Sequence, residues 1–143
     1  MIRGKIVLEG EKEVAFVLYL EYAPNTVANF VKLAKDGFYD GLTFHRVIKG
    51  FVSQGGDPKG DGTGELDYLI KNENEGNPLR HEAGSIAMAH RGKDTASCQF
   101  YICHEPQPHL DKDYTVSGKV IDGLKDVIDM KPGTIMQKVA IDD

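Results

Sequence analysis

Apolar residues recur along this chain with two different periods, and each change of period marks an element. Lys5 to Leu8 and Glu13 to Leu20 are short β-rich runs on either side of Glu9-Gly10-Glu11-Lys12, a pattern that predicts a hairpin. The second run is apolar at both parities, as in a strand covered on both faces. From Pro24 the period lengthens. Val27, Phe30, Val31 and Ala34 recur at i, i+3, i+4 and i+7, Pro24 suits a first helical turn, and Gly37 stands where a helix should stop, so an amphipathic helix is predicted.

Alternation returns at Phe44 to Asp57, where two apolar runs flank Lys49-Gly50 and read as strand, tight turn, strand. Further short strands are predicted over Gly84 to Ala89, Cys98 to Cys103, Thr115 to Val120 and Gln137 to Ile141. A second helix is predicted from Asp122 as N-cap through Leu124, Val127 and Ile128, ending at Lys131-Pro132-Gly133. The glycine-dense stretch Gly55 to Glu65 and the connection from Asp67 to Gly84 predict long loops, with at most a short strand at Tyr68-Leu69-Ile70. Many short strands, glycine-rich turns and only two helices favour a mainly β closed barrel or sandwich over a doubly wound sheet.

Length adds that 143 residues suit a single domain spanning 1–143 with one core. The formal charge of -5 supplies no electrostatic footprint for nucleic acid or an anionic membrane. No apolar run approaches the roughly 20 residues that span a bilayer, and Met1 to Lys5 is too short and too quickly charged for a signal peptide, so a cytoplasmic location is expected. Cys98 and Cys103 lie five positions apart in one predicted strand, on opposite faces, and are expected to stay unpaired and buried.

Candidate chemistry narrows by spacing. Gly60, Gly62 and Gly64 lack the Gly-Lys-Ser/Thr ending of a phosphate loop and read as a turn framework. Asp57, Asp61 and Glu65 do not have calcium-loop spacing and read as solvated loop carboxylates. The histidines at 45, 81, 90, 104 and 109 show no zinc-ligand spacing, and Ser53, Ser97 and Cys98 sit in no nucleophile elbow, which leaves hydrolase chemistry a weak alternative. Arg46, Phe51 and Gln54 are different. A permanently charged donor, an apolar wall and a planar amide around one turn would suit a planar polar group attached to an apolar ring.

These residues also carry a resemblance. Phe44-His45-Arg46-Val47-Ile48-Lys49-Gly50-Phe51-Val52-Ser53-Gln54-Gly55-Gly56-Asp57 resembles the signature of the cyclophilin-type peptidyl-prolyl cis-trans isomerases, most like the short bacterial or archaeal members. Ile86 to His90 with Ser97 to Cys103 resembles a second block of that family, and Leu110-Asp111 with Thr115 to Val120 a third, in order and over nearly the whole chain. The resemblance implies a closed eight-stranded antiparallel β-barrel capped by two α-helices, with a peptide groove on its outside. It implies Arg46, Gln54 and Phe51 as catalytic residues and Val52, Ala89, His90, Gln99, Tyr101, His109, Leu110 and Tyr114 as substrate-binding ones. Proline-containing peptides and unfolded or folding proteins would be the partners, the protein a monomer, with no cofactor or metal. His109 stands where the family often has tryptophan, which implies weak cyclosporin binding. A proline-peptide binding module without turnover is the competing class.

Overall fold

The computed structural model describes residues 1–142. Its described elements are β1 (Ile2–Leu8), β2 (Lys12–Leu18), α1 (Pro24–Lys35), β3 (Thr43–Phe44), β4 (Arg46–Ile48), β5 (Val52–Gly55), β6 (Ser85–Met88), β7 (Phe100–Cys103), a 3-10 turn (Pro108–Leu110), β8 (Val116–Asp122), α2 (Leu124–Asp129) and β9 (Thr134–Ile141). The strands form one antiparallel sheet in the order β3-β9-β1-β2-β8-β6-β7-β5-β4. No helix among the described residues is long and apolar enough to cross a membrane.

The two ends of that order are neighbours in sequence. Thr43 pairs with Ile135 of β9, whereas Arg46, three residues on, pairs with Gln54 of β5. His45 lies between them, so the sheet closes into a nearly complete barrel through the covalent chain itself. Eight strands were expected and nine are found because this single run changes partners at His45 and thereby counts twice.

Barrel closure explains why the central strands are buried at both parities. Ile86, Met88, Phe100 and Ile102 point into the barrel core with Ile6, Leu8, Val14, Phe16 and Leu18. The alternate residues Val52, Ala87, Tyr101 and Cys103 face outward into a second apolar cluster with Val116, against which Phe51, Ala89, Leu110 and Tyr114 pack. That outer cluster carries the groove. Cys98 and Cys103 are both free and fall in different clusters. Burial, before smaller effects, pushes their thiols up to about 11 and about 12, so neither is a thiolate nucleophile at neutral pH.

α1 covers one end of the barrel. Val27, Phe30, Leu33 and Ala34 are buried; Phe30 meets Phe16 and Phe100 edge-on at 5.9 and 5.2 Å and Tyr39 at 5.1 Å. Its N-cap, Ala23, offers no side-chain bond; instead Glu73, from the long connection, accepts from the Asn25 and Thr26 backbone N–H groups at 3.1 and 2.7 Å and from the Thr26 hydroxyl at 2.7 Å. A carboxylate at that end also complements the helix dipole.

At α2 the expected N-cap is wrong. Asp122 remains in the sheet, paired with Ala15, and Gly123 is the N-cap with φ of +88°. The chain must leave β8 and enter the helix within one residue, and a Cβ at position 123 would sit 2.6 Å from the Glu13 carbonyl oxygen, so only glycine fits there. Tyr68-Leu69-Ile70 forms no named strand, only a bridge from Ile70 to Ala96. Asp57 is likewise not a solvated loop carboxylate. It is buried and accepts backbone N–H bonds from Lys59, Asp61 and Gly62 at 2.9, 3.1 and 2.5 Å. Burial works against its ionisation, but these donors and Gly64 outweigh it and hold the carboxyl below its usual range. The glycine loop is therefore wound around a buried anion of its own.

Candidate active site

The β4–β5 hairpin brings Arg46 opposite Gln54, so the two side chains share the outer face. Gly50 turns the chain with φ of +81°, and this turn is anchored from behind. Its N–H donates to His104 Nδ1 at 3.1 Å, His104 Nε2–H donates to Ser53 Oγ at 2.8 Å, and the Ser53 hydroxyl donates to the Val127 carbonyl at 3.0 Å. Phe51 follows the turn, before β5 begins.

Arg46 is exposed at the groove rim, with Nη1 donating to Gln54 Oε1 at 3.3 Å and Cζ 5.9 Å from the Phe51 ring centre. No ion pair holds Arg46 among the described residues, so most of its donors face solvent. Gln54 in turn donates from Nε2 to Gln99 Oε1 at 3.0 Å, and Gln99 donates to the carbonyls of Gly62 and Gly64 at 3.1 and 3.0 Å. A relay of amides thus joins the loop wound on Asp57 to the guanidinium.

One concavity is lined by Arg46, Phe51, Val52, Gln54, Ala89, His90, Tyr101, Leu110 and Tyr114. Its floor is apolar and its rim polar. The other two expected residues lie beside it. Gln99 lines an adjoining pocket with Gln54, Gly62, Gly64, Glu65, Ala89, His90, Arg91, Thr95 and Ser97. His109 is exposed and stacks on Phe51, ring centres 6.1 Å apart.

His90 is immobilised. Its Nδ1 accepts from the Gly92 N–H at 3.1 Å, its Nε2–H donates to the Asp113 carbonyl at 2.7 Å, and its ring stacks on Tyr114 at 4.2 Å. With both ring nitrogens engaged, what His90 has left to offer a ligand is its main chain. Among the described residues, no group of three or more His, Cys, Asp or Glu is placed to hold a metal ion.

Two contributors escape a reading of the sequence. His81, in the connection taken as irregular, bonds the Tyr101 hydroxyl at 2.8 Å from beneath the pocket, and Asp111 bonds His81 at 2.8 Å. The available signal was Tyr101 itself, because a phenol in an apolar wall needs a polar partner.

A family model described as cyclophilin type peptidyl-prolyl cis-trans isomerase/CLD matches residues 5–141. The chain belongs to this family. Among the cyclophilin's relatives, peptidyl-prolyl cis-trans isomerase B of Bacillus subtilis is 58% identical over 142 residues, covering 99% of each chain. A peptidyl-prolyl cis-trans isomerase of Synechococcus elongatus is 53% identical over 94% of each. The barrel superposes on the crystal structure of a Cryptosporidium parvum cyclophilin type isomerase with a TM-score of 0.90 at 29% identity, over 99% of this chain and 98% of that one. A second crystal structure of that parasite protein, in the presence of the dipeptide Ala-Pro, gives 0.89 at 28% identity, covering 100% of this chain and 99% of that one. The cyclophilin described here is thus a peptidyl-prolyl cis-trans isomerase on a mainly β, nearly closed barrel.

Proposed function

We propose that this cyclophilin accelerates rotation about X-Pro bonds in folding or folded polypeptides by weakening amide resonance through Arg46, with no covalent intermediate. The observation that carries this reading is the Arg46 guanidinium, without an ion pair among the described residues and oriented by Gln54 at 3.3 Å, on the rim of an apolar pocket. Amide resonance sets a rotational barrier of ~18–20 kcal/mol, whereas the two X-Pro isomers differ by about 1 kcal/mol. Lowering the barrier therefore requires stabilising the twisted amide over both planar forms.

The proline ring enters between Phe51, Val52, Tyr101 and Leu110, where it is desolvated without competing polar groups. As the bond twists, the prolyl nitrogen pyramidalises and gains a lone pair that an Arg46 N–H can meet. Gln54, Gln99 and the main chain at Ala89-His90 hold the flanking peptide, so that rotation is confined to one bond. A charge-assisted bond made mainly in the twisted state contributes roughly 3–4 kcal/mol, a hundredfold or more in rate. The presence of Ala-Pro with the Cryptosporidium neighbour supports proline-containing peptides as the substrate class here too.

Exchange between cis and trans resonances of an Ala-Pro peptide, followed by NMR with catalytic amounts of protein, tests this reading. Accelerated exchange is expected. Line broadening from binding without faster exchange would instead make the groove a binding module, and a cleaved product would make it a hydrolase.

A further inference from the structure

The groove walls come from separate parts of the chain, and one buried side chain outside the groove touches two of them. His81 has its side chain fully shielded from solvent. Its ring Nδ1–H donates to Asp111 Oδ1 at 2.8 Å, its backbone N–H donates to the same oxygen at 2.7 Å, and its backbone carbonyl accepts from Gln107 N–H at 2.9 Å. Gln107 and Asp111 bracket the 3-10 turn Pro108–Leu110, so His81 grips that turn at both ends. On its other side, Nε2 accepts the Tyr101 hydroxyl proton at 2.8 Å, with the two rings stacked 5.9 Å apart.

We propose that His81 is a positioning residue for the isomerase site, fixing the distance between Tyr101 and Leu110 and hence the width of the proline pocket. It reaches neither Arg46 nor the peptide. The proton order is set by chemistry: the Asp111 carboxylate accepts from Nδ1, which leaves Nε2 bare to accept from the phenol. Protonating His81 would reverse this. Nε2–H would then donate to the Tyr101 oxygen, and the phenol proton would have to turn elsewhere in an otherwise apolar wall.

Four groups face the imidazole or its carboxylate partner: Asp111 and His109 from the 3-10 segment, Tyr101 from β7, and Arg80 alongside. Burial lowers the tendency of His81 to protonate and outweighs the opposing pull of Asp111. The working form is therefore neutral at physiological pH. Removing the Tyr101 hydroxyl takes a donor from neutral His81 and should move its titration up. Removing the Asp111 charge takes a partner from the cationic form and should move it down.

This inference rests on the proposed isomerase reading, and the test separates the two. Ala-Pro peptide affinity and the exchange rate at saturation are measured by NMR for wild type, H81F, H81N, Y101F and D111N, between pH 5 and 8. If wild type shows no exchange, the isomerase reading fails. If it does, H81F should weaken peptide binding about tenfold with the saturated exchange rate changed less than threefold, the size expected from one or two lost buried bonds. H81N, which keeps a donor near the Nδ1 position, should recover part of the loss. Y101F folds without a steric change and should weaken binding with an acid limb shifted to higher pH, whereas D111N should weaken binding with the limb shifted to lower pH. Wild-type affinity in folded H81F, or acid limbs that coincide in wild type, Y101F and D111N, would overturn the proposal.

Discussion

Gln99 links the glycine loop to the groove rim at Gln54 and Arg46, and Gln99→Leu removes that link with little change in volume. The substitution deletes two donated bonds, to the Gly62 and Gly64 carbonyls at 3.1 and 3.0 Å, and one accepted from Gln54 at 3.0 Å. Each such bond contributes about 0.5–1.5 kcal/mol net, and the half-buried setting lets water replace some of it, so the total cost is about 1–3 kcal/mol and roughly 3–10 °C in Tm. The functional consequence is separate. Gln54 loses its anchor, and the 3.3 Å bond that orients Arg46 loses its fixed acceptor. Turnover of an Ala-Pro peptide is expected to fall about tenfold, less than for loss of the guanidinium itself. Gln99→Glu sharpens the test, because the introduced carboxylate would face two carbonyl oxygens. Its folded-state pKa must rise, so the variant should regain stability as pH falls towards about 4.3, the ordinary glutamate value, and lose it as pH rises. Turnover and Tm of Gln99→Leu both within error of wild type would refute the relay.

Other consequences follow from the same contacts. Glu73→Ala removes all three bonds at the start of α1 and should lower stability by about 1–2 kcal/mol, with faster amide exchange at Asn25 and Thr26. His81 and His104 are both held below their ordinary pKa, chiefly by burial, so each prefers to be neutral in the folded state. Their contribution is complete above about pH 6.5 and is lost as pH falls through their folded-state values, so denaturant midpoints should decline on that side and level off above it. His109 stacks on Phe51 at the groove edge; His109→Trp should raise cyclosporin affinity, and nanomolar inhibition of the unmodified protein would contradict the weak binding expected of it.

What could be read from sequence follows the range of the interactions involved. α1 was legible because its period, Pro24 and Gly37 are local signals, and the structure places it at Pro24–Lys35. The β4–β5 turn was legible for the same reason. The break at His45 was not, since a change of pairing partner leaves no mark on alternation. Gly123 outcompeted Asp122 as a cap because β8 holds Asp122 in the ladder, a tertiary constraint. Arg46, Phe51 and Gln54 stood out by chemistry alone, but the far wall from Ala89 to Tyr114 came only through family resemblance. Glu73 and His81 escaped because a loop carboxylate or imidazole shows no partner until the fold carries it against a helix end 47 residues away or a phenol 20 residues away. Asp57 escaped although its donors are local, because nothing in the residue types of a glycine-rich loop says that its backbone N–H groups turn inward onto one carboxylate.

The role of Arg46 is tested most directly by the cis-trans exchange rate of an Ala-Pro peptide bound at saturation to Arg46→Ala, beside its dissociation constant and thermal melt. Arg46 is exposed and has no ion pair among the described residues, so the fold and the melt should hold. Peptide affinity should change less than fivefold while the bound exchange rate falls a hundredfold or more. A bound exchange rate equal to wild type, with the fold intact, would contradict catalysis by this guanidinium.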